Sequence, residues 1–87
     1  MATQSRPLYK IAAEIRKDWK ATAKNGSIYF GAVPYLDAMS SLNSIQDNYG
    51  MESGKSIVLY FLSNASTWRG ETAKRVKAEL KKMAKFK

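Results

Sequence analysis

The chain has no cysteine and no histidine among its 87 residues. Without cysteine there is no disulfide, no thiol nucleophile and no thiolate ligand for zinc or an iron–sulfur cluster. Without histidine the commonest metal ligand and the commonest general base are missing. Carboxylates are few as well. Seven Asp and Glu face fifteen Lys and Arg, for a formal net charge of +8. No apolar run nears the ~20 residues that a membrane-spanning helix requires. The polar opening Ala2-Thr3-Gln4-Ser5-Arg6 does not have the pattern of a signal peptide. These absences predict a basic protein of the cytoplasm with no cofactor, no metal and no membrane partner.

What is present suffices for one small core. With 45% apolar and 11% aromatic residues, the composition predicts a single folded domain over residues 1–87. A domain this short buries only about 60% of its unfolded surface, so the core has little in reserve. Residues 1–5 and 85–87 are expected to fray. Charge is divided along the chain. Residues 1–25 carry six basic and two acidic groups, residues 26–54 three acidic and no basic ones, and residues 55–87 nine basic and two acidic. Two basic ends flank a mildly acidic middle.

The spacing predicts an all-α bundle of three to four helices, over roughly 7–24, 34–46, 53–65 and 68–86. In the first, Leu8, Ile11, Ala12, Ile15, Trp19 and Ala23 make one apolar stripe, with Pro7 at its start and Asn25-Gly26 at its end. Pro34 opens the second, where Tyr35, Leu36, Met39, Leu42 and Ile45 keep helical spacing. Gly54, Val58, Phe61, Leu62 and Ala65 give the third. Ala73, Val76, Leu80 and Met83 give the fourth, capped by Ser66 or Thr67. Residues 28–33 read as a short strand or as an apolar connection pinned to the core by Tyr29 and Phe30. The run Ile57–Leu62 also suits a buried strand, so the alternative is an α+β fold in which 28–33 pairs with 57–62.

Several motifs carry less than they suggest. Gly50-Met51-Glu52-Ser53-Gly54-Lys55-Ser56 resembles a phosphate-binding loop, but three residues separate its glycines where four are needed. A turn leading into a helix explains it. The tripeptides Asn25-Gly26-Ser27 and Asn64-Ala65-Ser66 matter as glycosylation sites only in a secreted protein. Helix 2, the Asp47–Gly50 turn and helix 3 have helix-turn-helix lengths, yet a recognition helix must offer polar side chains to base edges. Helix 3 offers Ile57–Leu62 and reads as the most buried element. No carboxylates stand at a recognised catalytic spacing, so the chain is read as no enzyme.

The lysine faces remain. Lys10, Lys17, Lys20 and Lys24 lie opposite the stripe of helix 1, and Lys74, Lys77, Lys81 and Lys85 lie on the outer side and flank of helix 4. Lysine outnumbers arginine eleven to four, which suits phosphate contact better than bidentate base readout. These eight lysines are the candidate nucleic-acid contacts. The plainer reading is a face that keeps a small protein soluble. Trp68 and Arg69, with Tyr9, Tyr35 and Tyr49, are candidates for a protein interface, because Trp, Tyr and Arg dominate binding hot spots. Trp68 can equally cover the core beneath helix 4.

Three stretches, RPLYKIAAEIRKDW (6–19), IYFGAVPYLDAM (28–39) and YFLSNASTWRGETAKRVKAEL (60–80), together resemble a group of short proteins found on phages, plasmids and other mobile elements of Gram-positive bacteria. The resemblance implies a context: an accessory protein in a bacterial host cell that binds nucleic acid or blocks a host defence protein, as anti-CRISPR inhibitors do. Many DNA-mimicking inhibitors are acidic. A basic inhibitor would act differently, by plugging a negatively charged protein surface or by contacting guide RNA. The leading expectation is therefore a non-enzymatic module that binds nucleic acid or a nucleoprotein complex. The alternative is an inhibitor of a host defence protein. Nothing in the pattern demands a dimer.

Overall fold

The computed structural model describes residues 6–23 and 26–85, Lys85 by its backbone alone. Four helices form: α1 (Leu8–Thr22), α2 (Val33–Met39), α3 (Gly54–Ser63) and α4 (Glu71–Lys85). Helix α1 packs on α2 and α4, and α3 packs on the same two, so the helices enclose one core in chain order. A two-residue hairpin precedes α3, with β1 (Asn48–Tyr49) antiparallel to β2 (Glu52–Ser53) and Tyr49 opposite Glu52. The fold is thus the all-α bundle, with a minor β pairing. Residues 57–62 are helical, and 28–32 run as irregular chain and turn into α2 at Val33, so the 28–33/57–62 sheet does not occur. The expected fraying at 1–5 and 85–87 falls outside the described residues, the backbone of Lys85 apart.

Apolar periodicity sets what each helix buries. Leu8, Ile11, Ala12, Ile15 and Trp19 of α1, and Ala73, Val76, Leu80 and Ala84 of α4, are all buried. Between them lie Leu36, Met39, Ile57, Val58 and Phe61. The centre is aromatic. Trp19 stacks on Trp68 at 5.7 Å between ring centroids, and Phe61 meets both edge-on at 6.2 and 6.4 Å. The indole of Trp68 donates to Asp18 Oδ2 at 2.9 Å, which satisfies its one polar atom.

Helix α2 is shorter than its stripe. It ends at Met39, although Leu42 and Ile45 continue the helical spacing. Leu42 is buried all the same, and the chain from 42 to 47 has other work. Pro7 stands just ahead of α1 in the extended conformation usual for a capping position, but its hydrocarbon ring has no acceptor and supplies no cap. The carbonyls of Asn43 and Leu42 instead accept from the first amides of α1, Leu8 and Tyr9, each at 3.0 Å. The carbonyls of Asp47 and Ile45 accept from Gly54 and Lys55, the first amides of α3, at 2.7 and 3.1 Å. Asp47 Oδ2 holds the turn by accepting from the amides of Asn43 and Ser44. One turn therefore satisfies the otherwise orphaned N–H groups of two helices. Ser53 completes α3, its hydroxyl accepting from Ser56 N at 3.1 Å.

Helix α4 starts at Glu71 rather than near 68, because Trp68 turns into the core before the helix begins. The carbonyl of Gly70 accepts from Lys74, so the capping position belongs to Gly70 and not to Ser66 or Thr67. Helix α3 is also less enclosed than its apolar run implies. Leu59 and Tyr60 point outward and are nearly half exposed.

The glycine at the start of α3 is a packing requirement. A Cβ on Gly54 would lie 2.9 Å from Ile45 Cα, Ile45 O and Ser44 O, all backbone atoms that cannot swing aside. The Gly-Lys-Ser sequence is thereby a helix start, as its spacing indicated. Alanine ordinarily favours a helix over glycine by up to ~1 kcal/mol. Gly54→Ala should nevertheless destabilise the fold by about 1–3 kcal/mol, the usual cost of overpacking. Urea denaturation checks this, and a variant as stable as the parent would mean that the turn does not press on α3.

Candidate nucleic-acid interface

The charged side chains divide by type. All four ion pairs among the described residues use arginine. Arg6 reaches Glu14 at 2.6 Å and Glu79 at 2.7 Å, and Arg75 also pairs with Glu14. These four groups close the seam between α1 and α4 and cancel one another in charge. Arg16 pairs with Asp37 and so ties α1 to α2. Asp18 holds the Trp68 indole, and Asp47 holds the turn amides. Glu71 sits in the first turn of α4, where a negative charge meets the positive end of the helix dipole.

The lysines are left over. Lys10, Lys17 and Lys20 on α1, Lys55 on α3, and Lys74, Lys81 and Lys82 on α4 are exposed. None of these seven has a hydrogen-bonding or ion-pair partner among the described residues. Helical spacing sets Lys10 and Lys17 opposite the buried stripe of α1, on the solvent side of the Glu14 flank. On α4, Lys74, Lys81 and Lys82 lie away from Ala73, Val76 and Leu80. The two lysine sets are thus separate faces, divided by the neutral Arg6–Glu14–Arg75–Glu79 seam. Lys24 and the side chain of Lys85 lie outside the described residues.

Lys77 departs from the sequence-based set. It is half-buried, donates to Trp68 O at 2.6 Å and stands 5.9 Å from the centroid of the Trp68 ring. Burial holds its ammonium below the ordinary lysine range, and the positive charges of Lys81 and Arg69 push the same way. Lys77 thus feels positive charge from both sides, from Arg69 before α4 and from Lys81 one turn further along it.

The expected protein-interface residues scatter. Trp68 is 0% exposed and is corrected to a core residue, since its ring fills the space between Trp19 and Phe61. Arg69 is exposed, held loosely by Ser66 O at 3.5 Å. Tyr35 is half-buried against Tyr60, their rings 5.6 Å apart. Tyr9 and Tyr49 are partly exposed, Tyr49 on the hairpin. Sequence reasoning missed Phe30, which it had pinned to the core with Tyr29. Phe30 is 80% exposed and Tyr29 43%. Met51, at the hairpin tip, is 97% exposed. The signal available for both was position, Phe30 just before a Gly and Met51 just after one, outside every apolar stripe.

Among the described residues no helix is long and apolar enough to cross a membrane, and no three acidic side chains gather as a metal site. No family model, curated protein or solved structure matches the chain.

Two outcomes follow from the contacts. The hydrogen bond from Arg6 holds the Glu14 carboxyl below its usual range, against the opposing effect of burial and with help from Arg75. A depressed carboxyl stabilises the fold fully above its unfolded pKa, about 4.3, and loses that contribution as pH falls through the folded value. Glu14→Gln should cost about 1 kcal/mol near neutrality, and the gap from the parent should close on acidification below pH 4. Denaturation at several pH values tests this, and a gap independent of pH would deny Glu14 the role. Trp68→Ala should cost about 3–5 kcal/mol, as loss of a buried aromatic does. A soluble variant with an unchanged melting temperature would return Trp68 to the surface.

Proposed function

We propose that this protein is a non-enzymatic binding module that holds nucleic acid, or a nucleoprotein complex, by the phosphate backbone through the lysines of α1 and α4. One observation carries the proposal: the arginines of the helix seams neutralise Glu14, Glu79 and Asp37, whereas the six exposed lysines of α1 and α4 have no hydrogen-bonding or ion-pair partner among the described residues. A polyanion is the ligand that such a surface attracts, because each phosphate neutralised releases condensed counterions. Lysine gives point-charge contact without bidentate base recognition, so binding should be weakly dependent on sequence. The resemblance to mobile-element proteins supports an accessory role in a bacterial cytoplasm.

A second reading, an inhibitor of a host defence protein acting by protein contact, is favoured by the exposure of Met51 and Tyr49 on the hairpin. With Trp68 buried, this reading rests on the hairpin, Tyr9 and Arg69. A pull-down with and without nuclease separates the two, since a nucleic-acid-dependent catch disappears on digestion.

The salt dependence of binding is the direct test. If about six phosphates are contacted, the affinity for duplex should fall with a slope near −5 in log K against log salt. Replacing Lys74, Lys81 and Lys82 together by Glu should weaken binding at least tenfold at ~0.1 M salt and flatten the slope by about 3. The helical circular dichroism should stay as in the parent, because none of the three touches the core. Equal affinity in parent and triple variant would reduce the α4 face to a solubility surface.

A further inference from the structure

A groove of about 670 Å³ opens beside the C-terminal end of α1. Trp19, Ala23, Ile28, Tyr29, Phe30 and Arg69 are among the residues that line it. Its size falls in the range of small-ligand sites. Trp19 is stacked on the buried Trp68, so this part of the lining belongs to the core.

The two aromatic rings are presented outward. They lie 5.0 Å apart. Gly31 permits this placement, because a Cβ there would come within 2.6 Å of Tyr29 Cε2 and 3.0 Å of Asn64 Oδ1. The Tyr29 ring therefore occupies the space where another residue would carry its side chain. Phe30, 80% exposed, has a free face. An apolar ring held in water without intramolecular cover is a surface for a partner with a flat apolar face.

The surrounding charge selects the partner. Among the described residues no carboxylate lines the groove. Arg69 is part of its lining, and the charge of Arg69 acts on Lys77 nearby. Lys20 lies in the last turn of α1, two residues before Thr22, which also lines the groove. Flat aromatic faces alternating with negative charge are the chemistry of unpaired nucleotides. In a duplex those faces are stacked against one another and out of reach, whereas single-strand binders combine a basic track with aromatic platforms.

We propose that this groove binds a single-stranded polynucleotide, with a base stacked on Phe30 beside Tyr29 and a phosphate met by Arg69. The inference rests on the nucleic-acid reading above and narrows its ligand to unpaired strands.

Fluorescence anisotropy with labelled dT20, rU20 and a 20-base-pair duplex tests it on the full chain. Stacking of one base is worth roughly tenfold in affinity or more. The parent should prefer both single strands to the duplex. Phe30→Ala should lose about tenfold or more on dT20 and rU20 and little on duplex, with an unchanged salt slope. Phe30→Tyr, which keeps the ring, should retain the parent's affinity. Because Phe30 packs against little, the alanine variant should keep the parent's melting curve. If Phe30→Ala binds dT20 as the parent does, or loses equally on duplex and single strand, the ring serves something other than a base, a protein partner included. The stacking inference then falls while the lysine reading stands. If the parent binds neither strand form at 50 mM salt, both fall together.

Discussion

The fold depends on one turn. Residues 42–47 present carbonyl oxygens to the first amides of α1 on one side and of α3 on the other. A helix start leaves amides without intrahelical partners, and leaving such groups buried and unpaired is costly. Supplying both helices from one segment fixes their starts relative to each other. The bonds require close approach of backbone to backbone, and this is why position 54 has no room for a side chain. Asp47 takes part because its carboxylate accepts from two amides within the turn. The acidic, polar middle of the sequence is thus chiefly a piece of capping structure. It leaves the basic ends to form the longest helices.

With the helix starts set, the electrostatics follows from side-chain chemistry. The guanidinium of Arg6 offers several donors in a planar fork, and it holds Glu14 and Glu79 at once across the α1–α4 seam. A lysine has a single compact head and suits such bridging poorly. Arg6, Arg16 and Arg75 therefore serve the seams between helices, and most of the described lysines the open surface. The net charge of +8 is carried on solvent-facing groups rather than dissipated in ion pairs. That division leaves the exposed lysines of α1, α3 and α4 without ion-pair partners among the described residues. It also means that the positive potential comes in two faces with a neutral strip between them, and a ligand that uses both must bridge that strip.

Helix identity was legible wherever periodicity was long. The stripe of α1 and that of α4 could be assigned from spacing alone, and the helical reading of 57–62 followed from residues beyond the apolar run. Boundaries were less legible because burial and backbone conformation part company at element ends. Leu42 and Ile45 keep the helical spacing after the helix has stopped, since a turn can also face them inward. Trp68 is the converse case. It precedes the helix that it helps to anchor, so its place in the core depends on Trp19 and Phe61, distant in sequence. For the candidate site, the lysines were visible as a count and a face, but their freedom from ion pairs was not. It depends on which cations the seven carboxylates meet in space. Phe30 escaped for a related reason: an apolar residue outside a helix gives no sign of which way it points.

The buried tryptophan also connects the core to the surface. Its indole donates to Asp18 on α1, and its carbonyl accepts from Lys77 on α4. Trp68 thus joins the two basic helices from inside while Arg69, the next residue, is left in solvent. Inward Trp68 and outward Arg69 are consequences of one backbone path. The same packing sets the stacked Trp19 against the groove and keeps Lys77 near Lys81 and Arg69 despite their mutual repulsion. Bringing like charges together costs free energy in the unliganded protein, and a bound anion relieves that cost. Lys77 is held at that place by its bond to the Trp68 carbonyl, over a core that is apolar and buried.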